Sequence, residues 1–442
     1  MDVSFRAGES MPNTRYLNAV DQIYHAAWTM PKLAQIRRFR QTIARIWPNG
    51  HPTRLVHVVG TSGKGSVSRM LEAGFSLYGR AGAFSKPHLL DYRERISILG
   101  QPADPNAIAE VWEQQVLPIN LDRVDQTGQP LNFYENTLLL VLYLFERYEI
   151  EWAALESGVG GRYDMTSALD VVACVLTNVG RDHEAVLGSE AWQRALDKAG
   201  VARPKVPFLS SERAPEIREI IASVCNDVGA PLSWVEEQHE AKLRQTLGEI
   251  GVDSILHPSY QQRNAALVLE TLAQLLPDFD YQRTAERLKE LKLLGRMSEI
   301  EPGIFIDVAH NPDKIAAFAN EVAQRFPERG KIFVVSVSGE RDAASVLAPL
   351  LPLADALIVS QASYHGQPAD SIATSLSQLR PDIPIEVIAD PRAALEQAKA
   401  MRRGEQLIFV TGSTYMIEQA INPDEYMRHI NATYGWRLKR LS

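Results

Sequence analysis

Apolar positions along this chain fall into two alternating patterns. Short, near-continuous apolar runs, such as Leu55–Val59, "WAAL" at 152–155 and "VVACVL" at 171–176, have the length and branching of strands buried on both faces. Between them lie segments with helical spacing. After the first run, Val67, Met70, Leu71, Gly74, Phe75 and Tyr78 recur at i, i+3, i+4, i+7. The stretch from Tyr16 to Trp47 predicts one or two helices ahead of the first strand. Strand–helix alternation over nearly the whole length predicts an α/β protein with parallel sheets.

A second series of such units begins near "GRMSEIEPGIFIDVAHNP". It continues through "KIFVVSVS", "DALIVSQA", "IEVIAD" and "QLIFVTGS". The predicted architecture is a P-loop-type doubly wound ATPase sheet over residues 1–296 and a smaller Rossmann-like α/β domain over 297–442. The joint is expected between Leu293 and Ser298, with a ligand cleft between the domains.

Composition narrows the partners. With 442 residues, 45% hydrophobic and 23% charged, the chain has room for more than one ordinary core. A formal charge of −8 argues against nucleic acid or an anionic membrane as a partner. Only Cys174 and Cys225 are present, so no disulfide framework organises the fold, and Cys174 within its apolar run reads as a buried hydrophobe. "MDVSFRAGES" lacks the basic and apolar regions of a signal peptide, and no apolar run approaches the roughly 20 residues that span a bilayer. The expectation is a cytoplasmic monomer acting on small molecules.

In doubly wound sheets, ligands sit beyond the carboxyl ends of strands. The first strand is followed by "GTSGKGS", a glycine loop with Lys64 that opens a helix. It departs from the strict G-x-x-x-x-G-K-[ST] spacing, because Val58 replaces the first glycine and Gly65 follows the lysine. Such a loop attracts phosphate through backbone N–H groups and the helix N-terminus. Other strand ends carry "ESGVGGRYDMTS" with Glu156, "TNVGRDHEAVLG" with Asn178, Asp182 and His183, and "DVAHNP" with Asp307 and His310. Singly, each has a plain structural reading: a tight turn, a hydrogen-bonded histidine, or an Asp307 that caps the next helix. Together, a lysine loop, a hydroxyl, a carboxylate and a histidine suit a Mg²⁺–triphosphate site, since Mg²⁺ takes one or two protein oxygens plus phosphates and water, although histidine is an unusual ligand for it. No Cys/His spacing suits structural zinc.

The motifs "GTSGKGS", "SKPHLLDYRERI", "FYENT", "ESGVGGRYDMTS", "TNVGRDHEAVLG", "DKAGVARP", "YQQRNAALVLE", "GRMSEI" and "DVAHNP", in that order, resemble the Mur ligase superfamily. Within it the chain is most similar to the folylpolyglutamate synthase/dihydrofolate synthase branch, from about Tyr16 to Glu418. The resemblance implies an ATP- and Mg²⁺-dependent carboxylate–amine ligase that adds L-glutamate to a folate-like acceptor, tetrahydrofolate or dihydropteroate, through an acyl phosphate. It implies ATP binding by Gly60, Thr61, Ser62, Gly63, Lys64, Gly65 and Ser66, with Gln261 and Asn264 approaching the nucleotide and Arg296, Asp307 and His310 closing over it. Ser66, Glu156 and His183 fall where the family holds metal, and Lys198 where it has a lysine that is often carbamylated. Lys64, Glu156, His183 and Lys198 are thereby the expected catalytic set, and Lys86, His88, Arg162 and Asp164 the expected acceptor-binding set.

Departures from the family pattern concentrate on the acceptor side. Lys86 replaces a serine in "SKPHL", and "AWTMPKLAQIRRF" does not match the pterin-contacting segment. Two alternatives follow: a Mur-type ligase for another carboxylate, and a non-catalytic module that uses ATP as a switch. A dinucleotide oxidoreductase is the least favoured reading, because the first strand–helix turn lacks G-x-G-x-x-G and carries a lysine instead.

Overall fold

The computed structural model describes residues 13–26, 32–251, 253–425, 427–428 and 431. The stretch "MDVSFRAGES" and the first five residues of "AWTMPKLAQIRRF" lie outside the described residues. Helices Thr14–His25 and Lys32–Ile46 precede the first strand. Among the described residues no helix is long and apolar enough to cross a membrane.

Eight strands form the first sheet: β1 (Arg54–Val59), β2 (Ala81–Phe84), β3 (Ile96–Ile98), β4 (Gln101–Pro102), β5 (Trp152–Glu156), β6 (Ala173–Leu176), β7 (Phe208–Ser210) and β8 (Leu232–Trp234). Their order is β4-β3-β2-β5-β1-β6-β7-β8, with β1 near the centre. The second sheet contains β9 (Ser298–Glu301), β10 (Ile304–Ile306), β11 (Lys331–Val335), β12 (Ala356–Val359), β13 (Ile385–Val387) and β14 (Leu407–Thr411), ordered β13-β12-β11-β14-β10-β9.

The expectation of parallel sheets holds for the central strands and fails at two edges. β3 and β4 run antiparallel to their neighbours, as does β9. The β3–β4 hairpin turns through Leu99 and Gly100, both at positive φ (53° and 83°). That backbone is usually announced by Asn-Gly or Asp-Gly, and a leucine in the first position hides it. β9 alternates half-buried and exposed residues, as an edge strand with one wet face does.

Packing explains why the central strands read as apolar runs. The helices Lys64–Phe75 and Ser259–Leu275 cover one face around β1 and β5, where Phe75 stacks on Trp152 at 4.7 Å between ring centroids. In the second sheet Phe409 on β14 is ringed by Phe305, Phe318, Phe326 and Phe333, with centroids 5.3 to 6.0 Å away. The two halves also interlock. Leu89, from the loop after β2, packs in the core of the second sheet, and Met427 packs among residues of the first.

Removing the central ring should open a cavity that its neighbours fill poorly. Phe409→Ala is expected to cost about 3–5 kcal/mol, read as a lower urea midpoint. An unchanged midpoint would mean the aromatic cluster does not hold the second sheet.

Candidate active site

Register brings four loops to one edge of the first sheet. Val58 pairs with Glu156, Val59 with Leu176, and Phe84 with Leu155, so β1, β2, β5 and β6 end level with one another. Beyond those ends opens a cavity of about 2140 Å³. Thr61 to Ser66, Lys86, His88, Glu156 and His183 line one side; Arg296 from the joint between the halves, and Asp307 and His310 from the second half, face them. Gln261 and Asn264 also line it, whereas Lys198, Arg162 and Asp164 do not.

The glycine loop is held open by side chains from neighbouring strands. Gly60 has φ +149°, and a Cβ there would lie 1.9 Å from Thr177 Oγ1; Gly63 has φ +82°, and its Cβ would lie 2.7 Å from Asn264 Oδ1. Neither position accepts a side chain. The Thr61 and Ser62 N–H groups donate to Asn178 Oδ1 (3.2 and 2.9 Å), and Thr177 Oγ1 donates to the Ser62 carbonyl (2.6 Å). Lys64 Nζ donates to the carbonyls of Gly60 (3.0 Å) and Thr61 (3.4 Å). Gln261 Nε2 donates to Ser66 Oγ (3.3 Å), and Asn264 Nδ2 donates to Gln261 Oε1 (2.9 Å).

Charge is concentrated at the end of β5. Glu156 is 5% exposed, and its Oε2 accepts the Lys86 backbone N–H (3.0 Å). Burial raises the Glu156 carboxyl, while Lys64, Lys86 and Arg296 pull it back down. Burial likewise lowers the Lys64 ammonium, opposed by Glu156 and Asp182. Arg296 reaches in from the joint between the halves: a Cβ on Gly65 would lie 3.3 Å from Glu156 Oε2 and 3.5 Å from Arg296 Nη2. Lys198, 2% exposed in the helix Ala191–Ala199, is lowered to about 8, first by burial and then by Lys64.

On the second half, Asp307 is buried and accepts the N–H groups of Met297 and Ala309 (2.9 Å each). It is not the cap of the next helix. Asn311 takes that role, its Oδ1 accepting the Lys314 N–H (3.0 Å). His310 Nδ1 donates to the Val308 carbonyl (2.7 Å), which leaves Nε2 to accept from Lys314 Nζ (3.2 Å). Burial holds this imidazole well below its usual range, so it is neutral. Across the cleft, Asp182 meets Asn311 Nδ2 (3.3 Å), Lys314 Nζ (3.7 Å) and Arg341 Nη2 (3.5 Å).

Among the expected acceptor residues, His88 is fixed by Arg95 Nε, which donates to its Nδ1 (2.8 Å), and by Asn431 Oδ1 at 3.0 Å from its Nε2. Arg162 lies out by Tyr163, its guanidinium 5.6 Å from that ring. Asp164 is occupied locally by the N–H groups of Gly158 and Thr166 and by the Thr166 hydroxyl. Among the described residues no three His, Cys, Asp or Glu side chains cluster to hold a metal. Ser66, Glu156 and His183 nevertheless share the cavity. Two oxygens and one nitrogen with the remaining positions open is a donor set for a divalent cation that also binds phosphate.

Sequence reasoning missed Thr177, Lys314 and Arg341, and it gave Asn178 and Asp182 no role. Asn178 and Asp182 stand in a strand-end loop already singled out, and Lys314 follows His310 by four residues, the helical neighbour spacing.

Comparison with known proteins adds four findings. The Mur ligase glutamate ligase domain matches residues 295–414. The chain is 30% identical over 350 residues to the dihydrofolate synthase/folylpolyglutamate synthase of Mycobacterium tuberculosis, covering 71% of this chain and 70% of that protein. It is 29% identical over 424 residues to a probable bifunctional folylpolyglutamate synthase/dihydropteroate synthase of Haloferax volcanii, covering 90% of this chain but only 50% of that longer protein. The fold matches that of the Mycobacterium tuberculosis folylpolyglutamate synthase solved with ADP, with a TM-score of 0.80 at 24% identity over 92% of this chain and 97% of that one.

The loop geometry has a direct consequence. Asn178→Ala leaves the Ser62 N–H without its acceptor, while the Thr61 N–H keeps the Asn178 backbone carbonyl (3.0 Å), and should lower stability by about 1–3 kcal/mol, measured by chemical denaturation. Asn178→Asp, which keeps the acceptor oxygen, should lose less; equal losses would assign the effect to something other than that bond.

Proposed function

The chain belongs to the dihydrofolate synthase/folylpolyglutamate synthase family, whose members are ATP-dependent ligases, and from that premise we propose that it joins L-glutamate to the carboxylate of a folate-type acceptor, releasing ADP and phosphate. The observation that supports this most is the meeting of Lys64, Glu156 and Arg296, from three separate elements, in one cavity between two sheets.

In this reading the glycine-loop N–H groups and Lys64 hold the β- and γ-phosphates. Ser66, Glu156 and His183 would hold a divalent cation, which would supply charge neutralisation at the phosphates. An oxygen of the acceptor carboxylate attacks the γ-phosphorus, the bond to ADP breaks, and an acyl phosphate forms. The amine of glutamate then attacks the carbonyl carbon; the carbon–oxygen bond to phosphate breaks and the amine proton departs with phosphate. Arg296 offsets charge on the transferring group, while Asp307 and His310 fix the loop that closes over it. Closure keeps water from the acyl phosphate.

Lys198 fits carbamylation. Burial already brings its amine to about 8, so near neutral pH a useful fraction is unprotonated, the form that attacks CO₂. That fraction grows as pH rises toward 8. Added bicarbonate should therefore stimulate activity, and a ¹³C-carbamate signal should appear in wild type and vanish in Lys198→Ala. A signal that survives the substitution would assign the carbamate elsewhere.

The reaction itself is tested by ADP release. It should require acceptor and glutamate together, and Lys64→Ala should lower it by about 10²–10³-fold. ATP hydrolysis independent of any acceptor would instead favour a nucleotide switch. A ligase for a different carboxylate is the second reading, favoured by Lys86 in the wall of the cavity. Turnover with other carboxylates but not with folates would establish it.

A further inference from the structure

Lys86 stands out among the charged groups of the cleft. Its side chain is only 9% exposed, yet among the described residues no side chain or carbonyl accepts a hydrogen bond from its Nζ. The nearest anion is Asp164 Oδ2 at 3.6 Å, itself 10% exposed and beyond hydrogen-bond reach. Asp164 is also well supplied, with the Gly158 and Thr166 N–H groups and the Thr166 hydroxyl donating at 2.8, 3.1 and 2.6 Å. The Thr166 hydroxyl in turn lies 2.7 Å from His57 Nε2 on β1. Asp164 is thus a fixed counter-charge that aims Lys86 and leaves its three donors unfilled.

Two aromatic rings frame the ammonium. Nζ lies 5.3 Å from the Phe84 ring centroid and 5.5 Å from that of Tyr134, and Tyr134 itself lines the cavity. A largely buried ammonium with unfilled donors is costly, and an anionic ligand is what offsets it.

We propose that Lys86 receives the reacting carboxylate of the acceptor, with the benzoate ring of a pteroate-type acceptor lying against Tyr134. The inference rests on the ligase reading above and specifies which end of the acceptor the cleft recognises by charge. Position decides between the reacting carboxylate and a distal group. Phe84 pairs with Leu155, so Lys86 emerges beside Glu156, and its backbone N–H is bonded to Glu156 Oε2. That is the phosphate end of the cleft, where the attacking oxygen must arrive. Lys86 holds the carboxylate oxygen that does not attack phosphorus. When glutamate's amine adds to the carbonyl carbon, the same oxygen gains charge and the same ammonium donates to it.

The test compares binding of pteroate with that of its carboxamide, in the presence of ADP, by calorimetry. Wild type should prefer the carboxylate, and Lys86→Met should abolish that preference by weakening pteroate binding on the order of 10- to 100-fold. Lys86→Arg should restore part of it, and ADP affinity should be unchanged in both variants, which also reports that they fold. A Lys86→Met protein that still discriminates, or a wild type that never does, overturns the assignment. Should wild type ligate another carboxylate and ignore pteroate, the folate reading fails by itself, and that acceptor with its carboxamide puts Lys86 to the same trial.

Discussion

The buried carboxylate of Glu156, flanked by strands whose loops carry Lys64 and Lys86, is the interaction on which the site depends. It terminates β5, which lies between β1 and β2, and parallel register brings all three strands to the same level. The sheet therefore sets a lateral order: Lys86, then Glu156, then the glycine loop, then Asn178 and His183 after β6. A lone buried carboxylate would cost several kcal/mol. Here burial raises the carboxyl, and the cations on either side and Arg296 from the joint between the halves offset part of that cost.

In the proposed reaction that lateral order separates two chemical tasks, with the nucleotide over β1, the acceptor over β2, Glu156 at the border and the second sheet as the lid. Asp182 engages Asn311, Lys314 and Arg341 across the cleft, and Leu89 and Met427 each pack into the opposite half. Contacts made in both directions favour a closed cleft, which the proposed acyl phosphate would require.

Much of this was legible in the chain. The apolar runs marked the central strands, because strands buried on both faces have no room for alternation. The residues at their ends pointed to the cavity, since ligands of doubly wound sheets sit beyond the carboxyl ends of strands. The antiparallel edges were harder. The β3–β4 turn uses Leu99 where the common signal is asparagine, and β9 has too few apolar residues to announce itself. Asn178, Asp182 and Lys314 went unassigned because their importance lies in pairings between loops far apart in sequence. Arg162 and Asp164 do not line the cavity: Arg162 lies by Tyr163, while Asp164 bonds within its own loop and stands 3.6 Å from the Lys86 ammonium.

The central claim is that the acceptor carboxylate, arriving from the β2 side, is activated by phosphorylation in this cleft. It is tested most directly by labelling both oxygens of that carboxylate with ¹⁸O and analysing the phosphate released in a single turnover with ATP and L-glutamate. An acyl phosphate transfers one labelled oxygen to every phosphate released. Unlabelled phosphate alongside amide product would contradict the account.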